Sequence, residues 1–211
     1  MLHLTFSANP LSGKTNRTLE TGRARTMSTI LENIDPHTQP SFSLRNRLMR
    51  AGWSVVYSLL FRPSPRPCHA WRAFLLRAFG ARLGSHCHVY PKAKIWAPWN
   101  LVMDDHAGMA DGVTCYSMAT VTLGKKVVVS QGAHLCTGTH DYGSPSFQLY
   151  ALPITVGDEA WLCAECFLGP GVTIGEGAVI GARSVVTKNM PAWTVCAGQP
   201  CKPIKSRIIR K

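Results

Sequence analysis

The chain lacks a long apolar run. Its longest, "WSVVYSLLF" at residues 53–61, is less than half of the ~20 residues a membrane-spanning helix needs, so none is expected. It also lacks the pattern of a secretory leader. "MLHLTFSANPLSGKTNRTLETGRARTM" has no extended apolar stretch, and its arginines come late. Residues 1–40 read as a mostly unstructured extension, with Met27 as an internal start. Acid is scarce as well: 11 Asp and Glu stand against 23 Lys and Arg, a formal net charge of +12. Residues 1–80 hold 3 acidic and 11 basic residues, and residues 81–211 hold 8 and 12, five of those basics lying in 202–211. A nearly neutral middle with basic ends suits an acidic partner such as a membrane surface or a polyanion, and equally a solvated tail. The eight cysteines show no disulfide framework. In a chain read as leaderless they predict reduced thiols, a cytoplasmic location and use as small apolar fillers.

Two motifs lack the context that would give them function. "ANPLSGKT" at residues 8–15 resembles a P-loop with Ala8 in place of the first glycine. A working P-loop joins a buried strand to a helix, whereas "NRTLETGRARTM" follows here without an apolar face. Cys163 and Cys166 form a CxxC, but no second ligand pair lies nearby to complete a tetrahedral zinc site.

What is present is a period of six. "ITVGDE / AWLCAE / CFLGPG / VTIGEG / AVIGAR / SVVTKN" places Val156, Leu162, Leu168, Ile174, Ile180 and Val186 at the third position. Neither the helical nor the strand period sustains such a pattern, and a β-solenoid does, each hexad being a short strand and a turn. The aliphatic side chain points inward, and the small residue after it, as at Gly157, Cys163, Gly169, Gly175 and Gly181, is expected to permit a tight corner. An earlier block puts Leu83, Val89, Ile95, Leu101, Ala107 and Val113 at the inward position, and a third runs through Leu123, Val129 and Leu135. Leu123 to Val156 is 33 residues, not a multiple of six, so residues 137–153 are expected to leave the solenoid as a loop. That loop carries His140 and Asp141 within "LCTGTHDYGSPSF". A solenoid wall repeats equivalent positions; an excursion can carry a unique reactive group.

"GVTIGEGAVIGARSVVTKNMPAWTVCAGQPCKPI" resembles the hexapeptide-repeat acyltransferases, in the galactoside, maltose and nodulation O-acetyltransferase branch. "WRAFLLRAFGARLG" with "SQGAHLCTGTHDY" is similar to the colanic acid biosynthesis acetyltransferases, a group assigned to exopolysaccharide modification. The likeness spans roughly residues 81–204. It implies an all-β fold, a left-handed parallel β-helix preceded by a helical segment. It implies a homotrimer with acetyl-CoA bound between subunits and no required metal, acting on a saccharide of exopolysaccharide biosynthesis or, alternatively, on a small free sugar or other small-molecule acceptor. By the same resemblance His140 is the general base that accepts the proton of an attacking hydroxyl. Asp141 either orients that imidazole or bonds to the loop backbone. Trp161, Ala164, Ala182, Thr187, Lys188 and Lys202 fall at positions along the coenzyme groove, where small side chains admit pantetheine and lysines meet phosphate. The galactoside branch has an asparagine where this chain has Ala110, beside Asp111, which implies a different acceptor geometry. His134 reads as a wall residue, and no special role attaches to His86 or His88.

Ahead of the repeat, "HAWRAFLLRAFG" places Trp71, Phe74, Leu75 and Ala78 on one helical face, with Arg72 and Arg77 off it. "RNRLMRAGWSVVYSLLF" is a second helix candidate, separated from the first by "RPSPRP". Residues 41–80 are therefore expected to be amphipathic helix, capping the open solenoid end or lying on a membrane. Residues 81–201 form the solenoid domain, and 202–211 a basic tail. Two other readings share the fold. A trimeric zinc carbonic anhydrase needs three histidines, two of them separated by four residues. His134 and His140 come nearest, with five between them and no third at a matching coil position. A scaffold without activity would not need a histidine loop beside a coil of coenzyme-binding type.

Overall fold

The computed structural model describes residues 28–29 and 37–209. The expectations for residues 8–15, for Met27 and for most of the 1–40 extension lie outside the described residues. Three parallel sheets form the faces of a prism. Face I stacks Leu83, Met103, Leu123, Val156 and Ile174. Face II stacks Val89, Met109, Val129, Leu162, Ile180 and Cys196. Face III stacks Ile95, Cys115, Leu135, Leu168 and Val186. Apart from half-buried Leu83, these side chains are all buried and form one continuous core. The fold is a left-handed parallel β-helix with an N-terminal helical segment.

In the first coils the hexad phase differs from the sequence expectation. Met103, Met109 and Cys115, not Leu101, Ala107 and Val113, occupy the strand positions in register with Leu83, Val89 and Ile95. The cause is a short 3-10 turn, Pro98–Asn100, that lengthens the corner between faces III and I. Leu83 pairs with Met103, and Met103 with Leu123, so these coils take 20 residues, whereas Val156 to Ile174 takes 18. The displaced residues are still buried, because the position two before each inward strand residue also faces the core.

The small residue after the strand also has a different reason from the one expected. A Cβ on Gly157 would stand 2.6 Å from the backbone nitrogen of Glu176 in the next coil. Close approach of stacked coils excludes a side chain at Gly157 and likewise at Gly175 on the same face. The left-handed backbone falls two residues later, at Glu159, Gly177 and Arg183 among others.

The corner that is two residues longer in the early coils becomes the excursion after Leu135. It is a hairpin and not an irregular loop: Gly138–His140 pairs antiparallel with Leu149–Ala151, which also pairs with Ser28–Thr29. Polar side chains stack beneath it. Ser117 Oγ bonds Ala97, Asn100 donates to the carbonyls of Ser117 and Met118, and Thr137 Oγ1 donates to Tyr116 O and accepts from Ala119 N–H. These buried bonds fix the angle at which the hairpin departs.

Two helices cover the first coil. Ser43 caps helix α1 (Leu44–Val56), accepting from Asn46 N–H, and α1 passes through a π turn (Tyr57–Phe61) to the "RPSPRP" break. Helix α2 is His69–Ala78. Trp53, Phe61, Leu75 and Leu76 bury against the coil, and Trp53 Nε1 donates to Ile95 O at 2.7 Å. Of the expected inner face of α2, only Leu75 is buried. Trp71, Phe74 and Ala78 point outward, and Arg72 is fully buried. Arg72 is tolerated because carbonyls surround it: Val89 O (2.6 Å), Pro65 O (2.7 Å) and Arg66 O (2.5 Å), with Ser64 Oγ at 2.9 Å. At the other end Thr194–Gly198 and Cys201–Ser206 form an antiparallel hairpin, so the first part of the basic tail is strand.

Candidate active site

His140 ends the first strand of the hairpin and is half-buried. Its Nδ1 lies 2.8 Å from Phe147 O, and its ring stacks on the Phe147 ring, centroids 4.3 Å apart. A carbonyl oxygen can only accept, so Nδ1 is the donor and carries the proton. In the neutral ring Nε2 then holds the lone pair. The hairpin thus fixes the ring's orientation and, for the neutral form, leaves Nε2 as the nitrogen able to accept a proton. Asp141 Oδ1 accepts from Gly143 N–H at 3.0 Å, closing the turn, and Asp141 N–H donates to Gln148 O. Gly138 admits the hairpin at its base, since a Cβ there would meet Met118 Sδ.

The other residues singled out from the sequence sit elsewhere on the prism. Trp161 projects from face II, 46% exposed, and its Nε1 donates to Ser130 Oγ of the preceding coil at 2.9 Å. Ala164 and Ala182 lie one above the other at the corner between faces II and III, where Arg183 N–H donates to Ala164 O. Thr187 and Lys188 are exposed after the last strand of face III, at the corner from which, lower down, the hairpin leaves. Lys202 is exposed on the terminal hairpin, opposite Ala197. One protomer therefore divides these residues between two corners, with face III between them. His140, Thr187 and Lys188 share one; Ala164, Ala182 and neighbouring Trp161 share the other.

The second corner continues downward into a groove of about 520 Å³ that sequence reasoning missed. Tyr90, His88, Ala110, Asp111, Ser130 and Arg66 are among its walls. Arg66 lies over the Tyr90 ring at 5.2 Å and 3.4 Å from Asp111, whose other oxygen accepts from Lys92 N–H. Its only sequence signal is periodic. Gly112 N–H donates to Lys92 O, Gly132 N–H to Asp111 O and Glu165 N–H to Gln131 O, so Asp111, Gln131 and Ala164 stack in one column. Ala110 lines this groove. His134 projects from face III against the Phe167 ring, and burial pulls its pKa down. Among the described residues, no group of three or more His, Cys, Asp or Glu is placed to hold a metal ion.

Residues 153–188 match the model of the bacterial transferase hexapeptide (six repeats). Over 156 residues the chain is 44% identical to the protein named colanic acid biosynthesis acetyltransferase WcaF in Escherichia coli (strain K12), covering 74% of this chain and 86% of that one. It is 32% identical over 137 residues to galactoside O-acetyltransferase of the same strain, covering 64% and 68%. A solved galactoside acetyltransferase in complex with coenzyme A superposes with a TM-score of 0.66 at 25% identity, covering 79% of this chain and 84% of that chain. The chain belongs to the hexapeptide-repeat acetyltransferase family and is an acyltransferase.

Proposed function

We propose that the protein transfers an acetyl group from acetyl-CoA to a saccharide hydroxyl, with His140 Nε2 as the base. The observation that carries this reading is the bond from His140 Nδ1 to Phe147 O, which leaves Nε2 as the basic nitrogen. As the hydroxyl oxygen attacks the thioester carbonyl carbon, its proton passes to Nε2. The carbon–sulfur bond then breaks, and the same proton returns to the departing thiolate. No acyl-enzyme is needed, because the thioester is already activated. The coenzyme-bound structural neighbour and the two acetyltransferase relatives support the donor and the reaction. The likeness to the colanic acid enzyme supports an acceptor in exopolysaccharide biosynthesis.

The division of the candidate residues between two corners supports a homotrimer. A neighbouring protomer's hairpin then brings His140 beside Trp161, Ala164 and the groove. Ala164 and Ala182 give pantetheine an uncluttered corner, and Lys188 and Lys202 meet phosphate. We place the enzyme in the cytoplasm, with peripheral contact at the inner membrane through residues 41–80. No described helix is long and apolar enough to cross a membrane. The test is an acetyl-transfer assay on a panel of saccharides, comparing the wild type with His140→Ala. Transfer to a saccharide that the variant abolishes is the expected result; unchanged turnover removes His140 as the base.

A further inference from the structure

We infer that the outer face of the helical cap docks on an anionic lipid bilayer. This deepens the peripheral contact proposed above and rests on it, but not on the acyl-transfer chemistry. The motivating anomaly is the inverted helix α2: its apolar stripe faces solvent while an arginine is buried. Phe74 is 59% exposed, and Trp71 beside it is also exposed. The first helix does the same. Leu44, Leu48, Val55 and Leu59 follow at intervals of four, seven and four residues, a helical spacing, and are all exposed, Leu59 by 67%. Trp71 joins the two stripes, its Nε1 donating to Leu60 O at 3.1 Å while its ring stacks with Phe74. Capping the solenoid requires only the inner side chains, so this second apolar face packs on nothing among the described residues. A contiguous exposed patch of this kind marks an interaction surface.

Charge selects the partner. Residues 41–80 contain seven arginines and no acidic residue. Arg72 is buried, and Arg50 and Arg66 are engaged with the solenoid through Trp96 and Asp111. Arg77 is exposed but donates to Leu83 O and Gly84 O of the first coil, so Arg45, Arg47 and Arg62 remain at the surface. An anionic headgroup layer answers those guanidiniums while its acyl boundary accepts Leu, Phe and Trp, the pairing that interfacial helices use. A soluble polyanion would leave the leucines in water. A second copy meeting this face by a twofold axis would set arginine against arginine.

The test is co-sedimentation of the full chain with phosphatidylcholine vesicles with and without phosphatidylglycerol, at low and high salt. Acetyl transfer and circular dichroism are followed on the same preparations. Binding is expected with phosphatidylglycerol only, weakened by salt. Arg45→Gln with Arg47→Gln is expected to cost roughly 25-fold in partitioning, about fivefold per arginine. Leu59→Glu with Phe74→Glu is expected to abolish binding while helicity and acetyl transfer persist. Three results would overturn the inference. One is no binding to anionic vesicles at low salt. Another is binding indifferent to the Leu59 and Phe74 changes. The third is self-association that those changes abolish, without vesicle binding. Because transfer is read separately, loss of docking and loss of chemistry are distinguishable.

Discussion

The imidazole of His140 is held by the carbonyl of Phe147, 2.8 Å from Nδ1, and not by a carboxylate. That bond and the stacked Phe147 ring supply both orientation and tautomer. In the proposed mechanism, replacing His140 by alanine or asparagine removes the base, and general-base catalysis contributes about 10²–10⁴-fold. We expect kcat to fall by that factor with KM for acetyl-CoA little changed, measured by thiol release in the presence of acceptor.

Asp141 offers a sharper contrast. Its Oδ1 accepts the Gly143 N–H, a bond that asparagine reproduces. Asp141→Asn is therefore expected to stay within about threefold of wild type in kcat/KM. An aspartate that orients a catalytic histidine loses about 10⁴-fold on the same change. Steady-state kinetics of this one variant separates the two roles.

The hexad core was legible because Val156 through Val186 repeat without interruption, and the excursion was legible because Leu123 to Val156 breaks the count. The phase of the first coils was not. Both the inward strand position and the one two residues before it are buried, so Leu101 and Met103, or Val113 and Cys115, compete equally in the pattern. Only the stacked corner at Pro98–Asn100 decides between them, and it is held by contacts with residues 17 and 18 positions away. The inversion of α2 was hidden for a similar reason. A helical face containing Trp71 and Phe74 reads as core until the carbonyls around Arg72, supplied by the preceding turn and by Val89, are seen. His140 was found as a break in the repeat, whereas its partner is a backbone oxygen, which carries no sequence signature.

The thiols provide a test of the core that does not depend on chemistry at the hairpin. Burial pushes Cys115 and Cys166 up to about 12, so neither forms a thiolate at neutral pH. Native protein treated with iodoacetamide at mildly alkaline pH is expected to leave both unmodified by peptide mass mapping. Unfolding in guanidinium should expose them to full alkylation. Rapid labelling of Cys115 in the native state would contradict its placement on face III.

Acid should act on the helical cap. The pKa of His69 is lowered, chiefly by burial and also by the cations of Arg72, His88 and Arg66, against the raising effect of its bond to Val89 O. A lowered histidine favours the fold while neutral. Its contribution is complete above the unfolded value of about 6.5 and is lost as pH falls through the lower folded value. His134, lowered by burial, acts in the same direction. The thermal midpoint is expected to drop between pH 7.5 and 5.5, and to drop less in His69→Gln. An identical pH response in that variant would remove His69 as a contributor.

Arg72 carries the last prediction, because its fork is the one group that ties α2, the "RPSPRP" turn and the first coil together. Its donors reach the carbonyls of Val89, Pro65 and Arg66, and the last of these places Arg66 over Tyr90 beside Asp111. Arg72→Met fits the volume but strands those carbonyls, at about 1–3 kcal/mol for each that water does not reach. Lysine should not rescue, since a single ammonium on a flexible stem cannot span three carbonyls in a planar fork. Both variants are expected to lower the denaturant midpoint. Wild-type stability in Arg72→Lys would show that charge alone, without the fork geometry, holds the cap on the solenoid.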